Sequence, residues 1–98
     1  MIFGEIDHPG HYSELHAELS AFVRDHFSRV QSGLQGDSWI WILDGEEKVA
    51  IDTFTSMKHQ VKSPKPGPHV RAVMDVLARR FHVTLFEKPA LEGHEDGS

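Results

Sequence analysis

Ninety-eight residues, 39% hydrophobic and 26% charged, describe one folded domain with a single small core. A formal charge of −5 argues against general nucleic-acid binding, and the absence of cysteine excludes disulfides, thiolate chemistry and cysteine-ligated metal or iron–sulfur centres. The opening Met1-Ile2-Phe3-Gly4-Glu5 has neither the basic nor the apolar stretch of a secretory leader, and no apolar run approaches a membrane span, so the expectation is a cytoplasmic protein that does not enter membranes.

Residues 2–6 read as a short edge strand, weakened by Gly4. Asp7-His8-Pro9-Gly10 is a turn by composition. From Ser13, a suitable N-cap, to Val30, apolar residues recur at Leu15, Leu19, Phe22, Val23, His26 or Phe27, and Val30, the spacing of one helix face. Glu14 and Glu18 near its start and Arg24 and Arg29 near its end suit the macrodipole, and Gly33 and Gly36 would stop it. Ser38 to Lys62 then reads as a three-stranded antiparallel meander with strands at 38–43, 48–54 and 57–62. Each run alternates or is rich in β-branched and aromatic residues, and the gaps are short enough for hairpins.

Ser63-Pro64-Lys65-Pro66-Gly67-Pro68 breaks the sheet, because proline lacks the ladder donor. Pro68 suits the first position of a second helix capped by Gly67, presenting Val70, Val73, Met74 and Leu77 and ending at Arg79-Arg80. A last strand covers 81–86. The reading is an α+β fold in one domain over residues 1–90: a three-stranded antiparallel meander between two helices, in α-β-β-β-α-β order, with room for an extra N-terminal edge strand. The helices pack on one sheet face. Residues 91–98 form an acidic tail with little to bury, expected to be disordered. Element order by itself assigns no family.

Pairing parity separates the two faces of the meander. An even first hairpin loop, of two residues or four, puts Ile40 and Ile42 on one face with Val49, Ile51 and Thr53, the side that meets the helices. The other face carries Trp39, Trp41 and Leu43 beside Lys48, Ala50, Asp52 and Phe54. A two-residue turn at Thr55-Ser56 would bury Lys58 and Lys62 without partners. A three-residue connection or a bulge is therefore expected, sending His59 and Val61 to the core and Lys58, Gln60 and Lys62 outward.

The candidate partner-binding set is thus Trp39, Trp41, Phe54, Lys58, Gln60 and Lys62, an aromatic and basic platform suited to a homodimer or a protein partner. A second feature is charge. No acid occurs from Thr53 to Met74, while Lys58, Lys62, Lys65 and Arg71 contribute +4, leaving −9 for the rest of the chain. Lys65, His69 and Arg71 surround the start of the second helix, the end its dipole makes unfavourable for cations. Lys62, Lys65, His69 and Arg71 are therefore the candidate anion-binding set, with nucleic acid or another polyanion as the alternative partner, disfavoured by the net charge.

Nothing in the chain carries a catalytic signature. Ser13, Ser38 and Ser56 lack a nucleophile elbow, there is no glycine-rich phosphate loop, and Asp44, Glu46 and Glu47 sit at a hairpin tip, so the expectation is a non-enzymatic protein. His8, His11 and His16, with Asp7 and Glu14, match no metal-ligand spacing, and neither metal nor cofactor is expected. Protonating all eight histidines moves the formal charge from −5 to +3, so association should respond to pH between about 5 and 7.

Overall fold

In the computed structural model, which describes residues 1–91, eight elements follow in chain order. They are β1 (Ile2–Asp7), α1 (Tyr12–His26), β2 (Val30–Gln35), β3 (Asp37–Asp44), β4 (Glu47–Asp52), β5 (Gln60–Lys62), α2 (Pro68–Leu77) and β6 (His82–Ala90). The strands form one sheet in the order β2-β3-β4-β5-β1-β6, with every neighbouring pair antiparallel. The class is α+β, but the sheet has six strands where a three-stranded meander with one or two additions was expected.

The differences lie at the edges of the expected scheme. The first helix starts before Ser13, because His11 is its cap and accepts the Ser13 N–H on Nδ1 at 3.2 Å. It ends at His26, and Val30 opens β2 instead of closing the helix. Gly33 lies within β2, and Gly36, at φ 84, turns the β2–β3 hairpin in a conformation that favours glycine. The Tyr12 hydroxyl donates to the Gly36 carbonyl. Arg29 falls beyond the helix, so Arg24 and His26 are the basic residues of its last turn. Arg24 reaches across to the Val30 carbonyl at 3.2 Å and to Ser32 Oγ at 2.9 Å, tying α1 to the strand that was not foreseen. The N-terminal strand is interior, between β5 and β6, where an edge position was expected.

The β3–β4 hairpin turns over Gly45-Glu46 with Asp44 opposite Glu47, an even loop. Ile40 therefore faces Ile51 and Ile42 faces Val49, as parity requires. Between β4 and β5 the register is the one a three-residue turn gives, with Asp52 opposite Gln60. The ladder opens there, and residues 53–59 form a longer connection that contains Lys58. Leu15, Leu19 and Val23 of α1 and Val70, Val73, Met74 and Leu77 of α2 bury one continuous core against Ile6, Ile40, Ile42, Val49, Ile51 and Val61. Both helices thus cover one sheet face, and among the described residues no helix covers the other. Residues 92–98, most of the expected acidic tail, lie outside the described residues. No helix among the described residues is long and apolar enough to cross a membrane.

Candidate functional site

Strand register builds the helix-free face in rows. Gln31, Trp41, Ala50, Lys62 and Ile2 run across β2, β3, β4, β5 and β1, and beside them run Gly33, Trp39, Asp52, Gln60 and Glu5. Trp39 and Trp41, two residues apart on β3, point the same way with ring centroids 4.7 Å apart and planes tilted by 43°. The Trp39 indole lies over Gly33: a Cβ there would come within 2.6 Å of the ring, so the small residue makes room for the large one. The Lys48 ammonium stands 4.4 Å from the Trp41 ring centroid, a cation–π contact worth roughly 0.5–1 kcal/mol at an exposed site. Phe54 is 50% exposed and helps wall a shallow hollow of about 270 Å³ whose lining includes Trp41, Ala50, Asp52, Lys62 and Pro64.

Lys58 and Lys62 on this face are matched to acids, whereas Lys48 meets the Trp41 ring. Lys62 Nζ lies 2.5 Å from Asp52 Oδ1, with both side chains almost fully buried. Asp52 Oδ1 also accepts the Phe54 N–H at 3.2 Å, which draws the start of the 53–59 connection down onto the pair. Lys58 bonds Asp7 at 2.9 Å and approaches Glu5 at 3.6 Å. Hydrogen bonds from Thr84 and then Lys58 hold the Asp7 carboxyl below its usual range, and Asp7 raises the Lys58 ammonium in turn. Gln60 accepts from Thr55 Oγ1 at 3.1 Å. All six residues of the expected partner-binding set therefore lie on this side, but what they form is an aromatic surface with internally paired lysines.

Of the expected anion-binding residues, Lys65 and His69 meet at Glu47, whereas Lys62 and Arg71 lie elsewhere. Lys62 is committed to Asp52 on the helix-free face. Lys65 bonds Glu47 at 2.8 Å, and this bond, more than any other influence, lowers the Glu47 carboxyl below its usual range. His69 is buried at the α2 start, with Nε2 3.0 Å from Ser63 Oγ and 3.8 Å from Glu47. Arg71 is exposed and lines a groove between α2 and β6 with Phe3, Val70, Met74 and Leu85. The cation surplus of this segment is met by Glu47 from the β3–β4 hairpin, an acid distant in sequence.

Ser63 and Ser38 each lie within hydrogen-bonding distance of a histidine. Ser63 Oγ donates to the Lys48 carbonyl at 3.0 Å, so His69 Nε2 donates to Ser63, and Glu47 approaches that same nitrogen instead of Nδ1. A nucleophile–base–acid series needs the acid on the far nitrogen. Ser38 Oγ lies 2.6 Å from both His16 Nδ1 and His59 Nε2. It is fully buried, so no substrate carbonyl can reach it. Among the described residues no group of three or more His, Asp or Glu side chains stands ready to hold a metal ion, and no buried side-chain polar atom lacks a partner. Asp52 and His59 point to opposite faces, as the register reading required.

Sequence reasoning missed the Asp52–Lys62 pair and the His16–Ser38–His59 chain. Parity did hold their signals, since it put Asp52 and Lys62 on one face and Ser38 and His59 on the other. No family model, curated protein or solved structure matches this chain, so the geometry of its two sheet faces carries the functional reading.

Proposed function

We propose that this protein is a non-enzymatic interaction module that uses its helix-free sheet face to bind a second copy of itself, with Trp39, Trp41 and Phe54 as apolar contacts. Lys58, Gln60 and Lys62 frame the patch and keep its polar groups paired. The observation that carries the reading is the adjacent, tilted Trp39–Trp41 pair on a face that no described helix covers, beside Lys58 and Lys62, which are already matched to acids. Trp39 and Trp41 are only partly covered on this face and Phe54 is exposed, and covering them further removes apolar surface from water. Cytoplasmic residence suits a chain without cysteine.

A polyanion partner is the alternative from the sequence, and the pairing of Lys58, Lys62 and Lys65 with Asp7, Asp52 and Glu47 counts against it. Light scattering at low and high salt separates the two. Apolar self-association persists at high salt and is lost in Trp41→Ala, whereas binding of a single-stranded oligonucleotide would weaken steeply with salt. A protein that stays monomeric at both salt concentrations contradicts the proposal.

A further inference from the structure

On the sheet face opposite the tryptophans, a hydrogen-bonded chain runs from the partly buried His16 to the buried Ser38 and His59, and the proposed interaction leaves it unused. His16 of α1 places Nδ1 2.6 Å from Ser38 Oγ on β3, and that oxygen lies 2.6 Å from His59 Nε2. Ser38 is 0% exposed and His59 1%. His59 is also the last residue of the 53–59 connection, and its carbonyl accepts the Ile6 N–H at 2.8 Å. At the other end of the connection, Thr53 Oγ1 accepts the Ser38 N–H and the Thr53 N–H donates to the Ser38 carbonyl, both at 3.0 Å. Ser38 thus holds both ends of a segment that displays Phe54 and the 68% exposed Met57.

The chain responds to the number of protons it carries. Ser38 has one hydroxyl hydrogen, so with both imidazoles neutral it donates to one and accepts from the other. A single added proton on His16 is accommodated, because His16 then donates to Ser38 and Ser38 donates to His59. A second proton, on His59, turns Nε2 into a donor. The serine oxygen then meets two N–H groups, its own hydrogen loses its acceptor, and two positive charges stand within roughly 5 Å of each other.

We propose that the His16–Ser38–His59 chain is an acid-sensitive latch, holding the 53–59 connection against the core while His59 is neutral and releasing it when His59 takes up a proton beside an already protonated His16. The groups that act on the charge of His59 are His16 from α1 and His8 from the β1–α1 connection, and both oppose a second proton. Lys58, its neighbour in the chain, is turned to Asp7 and Glu5, and Asp52 is bound to Lys62 on the far face. Burial first, then His16 and His8, bring His59 down from 6.5 to about 4, and burial also lowers His16.

An unfolded chain takes up the His59 proton near 6.5, whereas the folded chain refuses it until about 4. The stability the latch supplies is therefore complete above the unfolded value and is lost as pH falls through this window. The folding equilibrium constant drops on the order of a hundredfold. Phe54 helps wall the hollow over the Asp52–Lys62 pair, so release also alters the helix-free face. That last consequence, for association, rests on the function proposed above.

Hydrogen exchange, referred to intrinsic rates and compared at about pH 7 and pH 4, tests the latch. The native protein should lose protection across residues 53–59 in acid. His59→Gln, whose amide can still meet Ser38 but does not titrate, should retain it. A titration of the native imidazoles by NMR gives an independent readout if the variant does not fold. His59 staying neutral until close to pH 4 supports the latch, and titration near 6.5 overturns it. Equal loss of protection in the native protein and His59→Gln overturns it as well. Light scattering of the same samples keeps the two proposals apart, since a monomer at neutral pH contradicts the interaction reading while leaving the exchange result to decide the latch.

Discussion

Lys62 and Asp52 sit 2.5 Å apart with almost no exposure, on a sheet face that no described helix covers. Removing both charges from water is expensive, and their mutual attraction repays that cost only while both remain. Lys62→Ala is therefore expected to lower stability by about 3–5 kcal/mol in urea denaturation, because it strands a buried carboxylate. Lys62→Met combined with Asp52→Leu should be close to neutral, since neither buried charge is then left alone. By contrast, Lys65→Ala removes an ion pair at an exposed site and should change stability little. Gly33→Ala pushes a methyl group into the Trp39 indole and should cost about 1–3 kcal/mol while shifting tryptophan fluorescence. Much of this was legible from alternation, which put Trp39, Trp41, Asp52 and Lys62 on one face and Ser38, His59 and Val61 on the other. The contacts themselves were not. Asp52 and Lys62 are diagonal neighbours on β4 and β5, and only the register brings them together. His16 lies on a different element from Ser38 and His59, and the rotation of α1 that joins them depends on packing.

Among the elements, α2 was the most legible. Gly67 and Pro68 mark its start, and Val70, Val73, Met74 and Leu77 are its buried stripe. Leu77 is fully buried in the shared core, so Leu77→Ala should cost about 2–5 kcal/mol in chemical denaturation with no change in the slope of the transition. β2 was illegible for a physical reason. Val30-Gln31-Ser32-Gly33-Leu34-Gln35 has two strongly apolar residues, and its extended form comes from pairing with β3 over its whole length. Local pattern assigned Val30 to the preceding helix because its spacing fitted that face, but tertiary pairing decided otherwise. The interior place of β1 between β5 and β6 has no local signature either, since both partners lie more than fifty residues away in sequence.

For the molecule as a whole, the two sheet faces divide the work. One packs against the helices and holds the latch residues, and the other presents aromatics beside Lys58 and Lys62, which are paired with acids, and Lys48, which meets the Trp41 ring. The acidic net charge is distributed so that Asp7, Glu47 and Asp52 meet the lysines of the cationic segment between Thr53 and Met74. The chain contains two tryptophans, and both lie on the helix-free face, so tryptophan fluorescence reports on that face alone. Acrylamide quenching of that fluorescence, followed as protein concentration is raised at high salt, tests the interaction surface most directly. Quenching should fall as copies associate, and Trp39→Ala combined with Trp41→Ala should remain monomeric by light scattering under the same conditions. Quenching that stays constant at every concentration, whether the protein remains a monomer or associates through another surface, would contradict the account.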